Sequence, residues 1–195
     1  MKKIFMLLAA STLSIVCLVN DSYGATDPVS MLDNIAKELT SRLDAKPNLN
    51  TAYVKSAIHQ IVLPAFDVNI MSRSVLGKRY WDEATPTQKE NFINRFTAKV
   101  VQVYAAPLKQ YNHDQIKFYP LRGGIPENNR VVVHSMIMRP NGQQIPVDYR
   151  LVLNDGKWKV YDFSVEGVSM VESYRSQYST TLEEGGVNAL LGRMK

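Results

Sequence analysis

The residues that could do chemistry are few and scattered. His59, His113 and His134 lie about fifty and twenty positions apart, and none has a second ligand three or four residues away, so the spacing of a zinc site is missing. The sequence contains no Gly-x-Ser-x-Gly elbow and no phosphate-cradling glycine loop. Gly123-Gly124 and Gly185-Gly186 are isolated pairs that read as turns. Asp148, Tyr149 and Asp162 offer one further possibility, because a carboxylate and a phenol inside a pocket can transfer protons. The plainer reading sends Asp148 outward and Tyr149 inward. It leaves Asp162, on the Trp158 face, to accept a backbone or tyrosine hydrogen bond.

The elements that must position these groups centre on Ile145 to Tyr178. Ile145, Val147, Tyr149, Leu151 and Leu153 alternate with Asp148 and Arg150, as on a strand with one buried face. Asn154-Asp155-Gly156 supplies the positive φ of a tight hairpin. Lys157 to Val165 reads as the return strand, with Trp158 and Val160 on the face opposite Tyr161, Phe163 and Val165. After Gly167 the period lengthens, and Val168, Val171, Tyr174 and Tyr178 fall on one helix face.

Upstream, Asp27-Pro28 is a cap followed by proline at the first helical position, opening a stripe of Leu32, Ile35, Ala36, Leu39 and Leu43. Pro47 to Asn50 breaks it. Tyr53, Ala57, Ile58 and Ile61 form a second short helix ending before Pro64, and Asp67 caps a third that Gly77 should end. Thr85 and Gln88 form a capping box for a helix carrying Phe92, Phe96, Val100, Val103 and Tyr104 and ending near Pro107. Strands follow over Ile116 to Leu121 and Val131 to Arg139, with turns at Gly123-Gly124 and Asn141-Gly142, and a last helix runs from Val187 to Met194. Helices, then about four antiparallel strands, then helices, predict an α+β fold, with a curved antiparallel sheet covered by helices. Such a cone can keep its inside partly empty.

The chain has 195 residues and a net charge of +5. Lys2 and Lys3 precede an apolar run from Ile4 to Val19, and Ser22 and Gly24 suit a cut before Ala25, so residues 1–24 read as a secretory signal peptide. The remainder, residues 25–195, is expected to be one domain. Removing the leader takes away Lys2, Lys3, Asp21 and the lone Cys17, which leaves 21 basic against 17 acidic residues, a net +4. Packing rather than disulfides must then stabilise the chain. The charge is too small and too scattered to suggest a nucleic-acid partner.

Two segments resemble a known family. Pro64 to Phe96 (PAFDVNIMSRSVLGKRYWDEATPTQKENFINRF) is similar to the first signature of the MlaC, or toluene-tolerance, family of periplasmic phospholipid-binding proteins. Ile145 to Leu191, with IPVDYRLV, KWKVYDFSVEGVSMVESYRSQY and GGVNALL, is similar to the second. The pairing of VLGKRYW with WKVYD and EGVSMV is the specific part. Phe163 stands where the family often has Val, Ser173 where Asn is common and Tyr178 where Phe is common, conservative departures that bear on ligand preference rather than fold.

The resemblance implies a cone fold like that of nuclear transport factor 2, with phospholipid as cargo and neither a resident cofactor nor a catalytic residue. It implies a carrier in the periplasm that helps maintain outer-membrane lipid asymmetry. The partners it implies are an outer-membrane lipoprotein–porin complex and an inner-membrane ABC transporter with a membrane-anchored substrate-binding subunit. Within the implied pocket, periodicity selects Leu76, Phe92, Phe96, Val100 and Tyr104 from the helices. From the hairpin segment it selects Val147, Tyr149, Leu151, Val165 and Val168, with Tyr174 and Arg175 near the head group. Arginine at Val147 or Leu151 is expected to abolish lipid loading in a protein that still folds. Two other readings remain: an enzyme on the same scaffold using Asp148 or Asp162 with a tyrosine, and an interaction module whose core is filled by its own side chains.

Overall fold

The computed structural model describes residues 27–194, and the expected leader lies outside them. Helix α1 (Pro28–Asp44) starts where Asp27 Oδ2 accepts the Ser30 N–H at 2.8 Å, and it buries Leu32, Leu39 and Leu43. Asn50 caps α2 (Thr51–Ala57), which loosens into a π turn over Ile58–Val62 and a 3-10 turn over Leu63–Ala65. Pro64 has no N–H to offer the carbonyl four residues back, which is the physical reason for that loosening. Asp67 caps α3 (Val68–Glu83) through the Ile70 N–H at 2.8 Å. Gly77 ends the first helical segment as expected, its backbone at φ 75° and ψ 160° being non-helical, and a second segment continues to Glu83.

Helix α4 (Pro86–Leu108) opens with the expected capping box, Thr85 N–H donating to Gln88 Oε1 at 2.7 Å and Gln88 N–H to Thr85 Oγ1 at 3.2 Å. Its buried positions are Phe92, Phe96, Val101 and Ala105. Val103, expected on the inward face, is 43% exposed. The last turn takes in Pro107.

The sheet has five antiparallel strands in the order β1 (Gln115–Phe118), β2 (Arg130–Met138), β3 (Gln144–Asn154), β4 (Lys157–Val165) and β5 (Val168–Ser169). The fold is therefore α+β, with one more strand than the sequence pattern suggests. Asp155 and Gly156, at φ 48° and 70°, make the tight turn between β3 and β4, as the twist of a two-residue hairpin demands.

One feature of β4 overturns an alternation argument. Leu153 pairs with Trp158 and Leu151 with Val160, but Tyr149 pairs with Phe163 and Val147 with Val165, the register shifting between Arg150 and Leu151. An extra residue in one strand carries everything beyond it to the other face. Phe163 and Val165 therefore share the inner face with Trp158 and Val160, and Asp162 pairs with Arg150 on the other face.

Val168, predicted on a helix, lies in β5 and is 64% exposed. Helix α5 (Met170–Arg193) follows, capped by Ser169. Its two helical segments meet at Gly185 and Gly186, so the predicted Val187 helix is the second of them. Gly185 is required by close approach: a Cβ there would stand 2.7 Å from Ala189 Cβ.

Three packed clusters hold these layers together. The first joins α3, α4 and α5 around Phe92, Phe96, Tyr174 and Leu190. Leu39, Leu43, Val54, Ile58 and Val101 form the second, between α1, α2 and α4. In the third, Leu32 of α1 sits on Val131, Val133, Leu151, Trp158 and Val160 of the sheet. Phe66 packs against both the first and the third. No helix among the described residues is long and apolar enough to cross a membrane.

Candidate functional site

The inner face of the sheet has a filled end and an open end. Register places Ile116, Ile137, Ile145, Val147, Val165 and Val168 side by side across all five strands at one end. None of the three clusters includes them, and of the six only Val147 is buried, at 4% exposure. At the other end Val131, Val133, Leu151, Trp158 and Val160 are covered by α1. Aliphatic side chains alternating on a sheet face normally lie under a partner layer, so the open end is apolar surface in want of a cover.

Helix α4 flanks the boundary between the two ends. Tyr104 meets Phe163 edge-on with ring centroids 4.8 Å apart, and Phe163 in turn meets Phe66 at 6.0 Å. Val100, one turn before Tyr104, is half-buried beside the first cluster. Further along α4, Phe92 and Phe96 stack in parallel at 5.6 Å, and Tyr174 stands edge-on to Phe96 at 5.3 Å.

The residues selected from sequence divide accordingly. Leu76, Phe92 and Phe96 lie in the helical core, and Leu151 in the sheet core. Tyr104, Tyr149, Val147 and Val165 gather at or next to the open end, and Val100 packs against the helical cluster one turn away from Tyr104. Val168 is on its outer rim. The proposed head-group pair is separated: Tyr174 is 8% exposed inside the helical cluster, whereas Arg175 is on the surface. A Cβ on Gly77 would lie 3.9 Å from the Arg175 guanidinium, which places that cation over the break in α3, where freed helix carbonyls favour positive charge.

Ile116, Ile137, Ile145 and Phe163 were not selected from sequence. Counting register outward from the Asn141-Gly142 turn would have paired Ile137 with Ile145, whereas Phe163 was hidden by the bulge.

The electrostatics of this seam are those of an apolar site. Burial pushes the Tyr104 hydroxyl up to about 12, helped by Tyr174 and Asp162 nearby. Tyr178 is raised to about 12 by burial and by Tyr174. Burial likewise raises Tyr149 to about 12, with a hydrogen bond to Ser135 pulling the other way. These phenols are neutral at physiological pH. The unfolded chain releases the same protons near pH 10, so their contribution to stability is complete below about pH 10 and lost as pH rises toward 12. A phenolate absorbance titration is expected to show a late group, including Tyr111 beside Asp44, that Tyr104→Phe reduces by one residue. A single transition near pH 10 would contradict the burial of this seam.

Both carboxylates considered for proton transfer have other occupations. Asp148 lies on the outer face with His134 Nδ1 2.7 Å from its Oδ1. Asp162 Oδ2 accepts from Arg150 Nη1 and Ser169 Oγ, each at 2.7 Å, and its Oδ1 from the Val171 N–H at 3.1 Å. It thus anchors the start of α5 to β4. Among the described residues no group of three or more His, Cys, Asp or Glu side chains is placed to hold a metal ion.

Comparison with known proteins agrees with this architecture. A phospholipid-binding protein from Ralstonia solanacearum, solved in complex with a phospholipid, superposes with a TM-score of 0.80 at 25% identity, over 86% of this chain and 94% of that one. The toluene tolerance protein ttg2D of Pseudomonas putida is 28% identical over 168 residues, spanning 84% of this chain and 76% of its own length. The intermembrane phospholipid transport system binding protein MlaC of Haemophilus influenzae is 25% identical over 201 residues, spanning 100% of this chain and 92% of its own. Residues 33–195 match the model of the MlaC protein family, and this chain belongs to that family.

Proposed function

We propose that this protein is a phospholipid carrier whose acyl chains cover the open end of the sheet, against Val100 and Tyr104 of α4. The observation that carries this reading is the apolar run from Ile116 to Val165 that none of the packed clusters includes, in a fold shared with a protein solved in complex with a phospholipid. Each acyl CH₂ withdrawn from water is worth about 0.8 kcal/mol, so two chains of about fifteen carbons gain on the order of 20 kcal/mol gross. A free phospholipid therefore does not cross an aqueous gap at a useful rate. Moving it from a bilayer to an apolar pocket exchanges one oily environment for another, so loading is reversible and needs no catalytic group.

Residues 25–195 act as one lipid-binding domain in the periplasm after the leader is removed. The carrier moves lipid between an outer-membrane lipoprotein–porin complex and an inner-membrane ABC transporter with its membrane-anchored substrate-binding subunit. Direction comes from those partners, because the pocket itself supplies only affinity. The name of the Haemophilus influenzae relative, an intermembrane phospholipid transport system binding protein, supports this assignment.

The test is transfer of a fluorescent phospholipid between two vesicle populations kept apart by a membrane that passes protein but not vesicles. Transfer proportional to protein concentration is expected. A folded protein that moves no lipid would favour the interaction module with a filled core.

A further inference from the structure

The two edges of the sheet are treated differently. Beyond the two residues of β5, the free side of β4 is covered where Asp67 N–H donates to the Val160 carbonyl at 2.8 Å. At the other edge β1 reaches only the second half of β2, Gln115 to Phe118 pairing with Met138 to Ser135, and Tyr119 N–H adds one bond to the His134 carbonyl at 2.9 Å. On that side Arg130 to Val133 have no strand beside them.

Which backbone groups are left follows from the ladder. Leu153 N–H donates to the Asn129 carbonyl, so Asn129, Val131 and Val133 turn their polar groups toward β3. In an antiparallel strand the alternate residues turn theirs the other way. Asn128 Oδ1 takes the Arg130 N–H at 3.1 Å. The Arg130 carbonyl and both backbone groups of Val132 have no hydrogen-bond partner among the described residues. Open edges of this kind are normally blocked.

This edge instead opens into a groove of about 450 Å³, walled on the far side by the loop from Tyr119 to Pro126. Its apolar surface includes Tyr119, 39% exposed, and Val132, 42% exposed. Its charged lining is Arg122 and Arg130, beside the His134 imidazole, with no acidic side chain. Asp148 pairs with His134 and with neither arginine.

We propose that this groove docks an extended, acidic segment of a partner protein, which adds as a strand along Arg130 to Val133. Main-chain bonds to Val132 supply affinity, and alternate apolar and acidic side chains meet Tyr119 and the two arginines. The site lies along the β2 edge, away from the open apolar end, and stands independently of the lipid reading.

Val132→Pro is the specific probe: it deletes an N–H that points away from β3, a position where an edge strand tolerates proline. A random linear-peptide display library is panned against the purified chain, and the selected peptides are labelled and titrated. Peptides alternating acidic and apolar residues are expected, with affinity falling at least about tenfold in Val132→Pro and in the Arg122→Glu/Arg130→Glu pair. Circular dichroism and lipid content are expected to stay unchanged, and the arginine pair alone decides should the proline variant fail to fold. No enrichment, or peptides that bind the variants as well as the parent, would overturn the proposal. So would a concentration-dependent dimer of the parent that Val132→Pro dissolves, which would assign the edge to a second copy.

Discussion

Val165→Arg is expected to remove bound phospholipid from a protein that remains folded. Val165 is half-buried, pairs with Val147 on one side and Val168 on the other, and belongs to none of the packed clusters. An arginine there can lay its aliphatic stem on the sheet and hold its charge toward water, so the fold loses little. Acyl chains seated on the same surface would have to cover a guanidinium, at a cost of about 3 kcal/mol or roughly a hundredfold in affinity. Lipid extracted per mole of purified variant should fall below about a tenth of the parent value, with thermal unfolding moving by only a few degrees. A normal lipid load in folded Val165→Arg would show that the chains lie elsewhere.

Leu151→Arg should behave differently, although it sits on the same face of the neighbouring strand, β3. Leu151 is 0% exposed and packed with Leu32, Val131, Trp158 and Val160. A charge forced into that cluster meets no partner and cannot reach water without displacing α1, a penalty of several kcal/mol. Since a domain of this size has about 5–15 kcal/mol in hand, the variant should be largely unfolded or insoluble, read by circular dichroism and solubility. Equal loss of lipid from Val147 and Leu151 arginine variants that both stay folded is the outcome the alternation pattern alone suggests. It would mean that lipid contacts the whole inner face.

Helix starts were legible because capping is local chemistry. Asp27 with Pro28, Asp67, and Thr85 with Gln88 each carry their own hydrogen-bond partners within four residues. The hairpin at Asp155-Gly156 was legible for the same reason. The bulge was not, since nothing in the types of Tyr161 and Asp162 marks an added residue, and its effect was to bring Phe163 and Val165 inward. Val168 misled because an apolar residue three before Val171 fits a helix as well as a strand end. The open end was half visible: Ile145 and Val147 plainly face inward, but which end of that face is covered depends on where α1 and α4 come to rest. Tyr174 and Arg175 show a related limit. Neighbours on a helix point about a hundred degrees apart, so one fills the core while the other lies over Gly77.

Phospholipid at the open apolar end is read out by native mass spectrometry of the protein purified from its own periplasm. A mass above that of the chain by one phospholipid or more is expected, the lipid released only on denaturation, identified by extraction, and absent from Val165→Arg prepared in parallel. A bare protein mass from several mild preparations of the parent would contradict it.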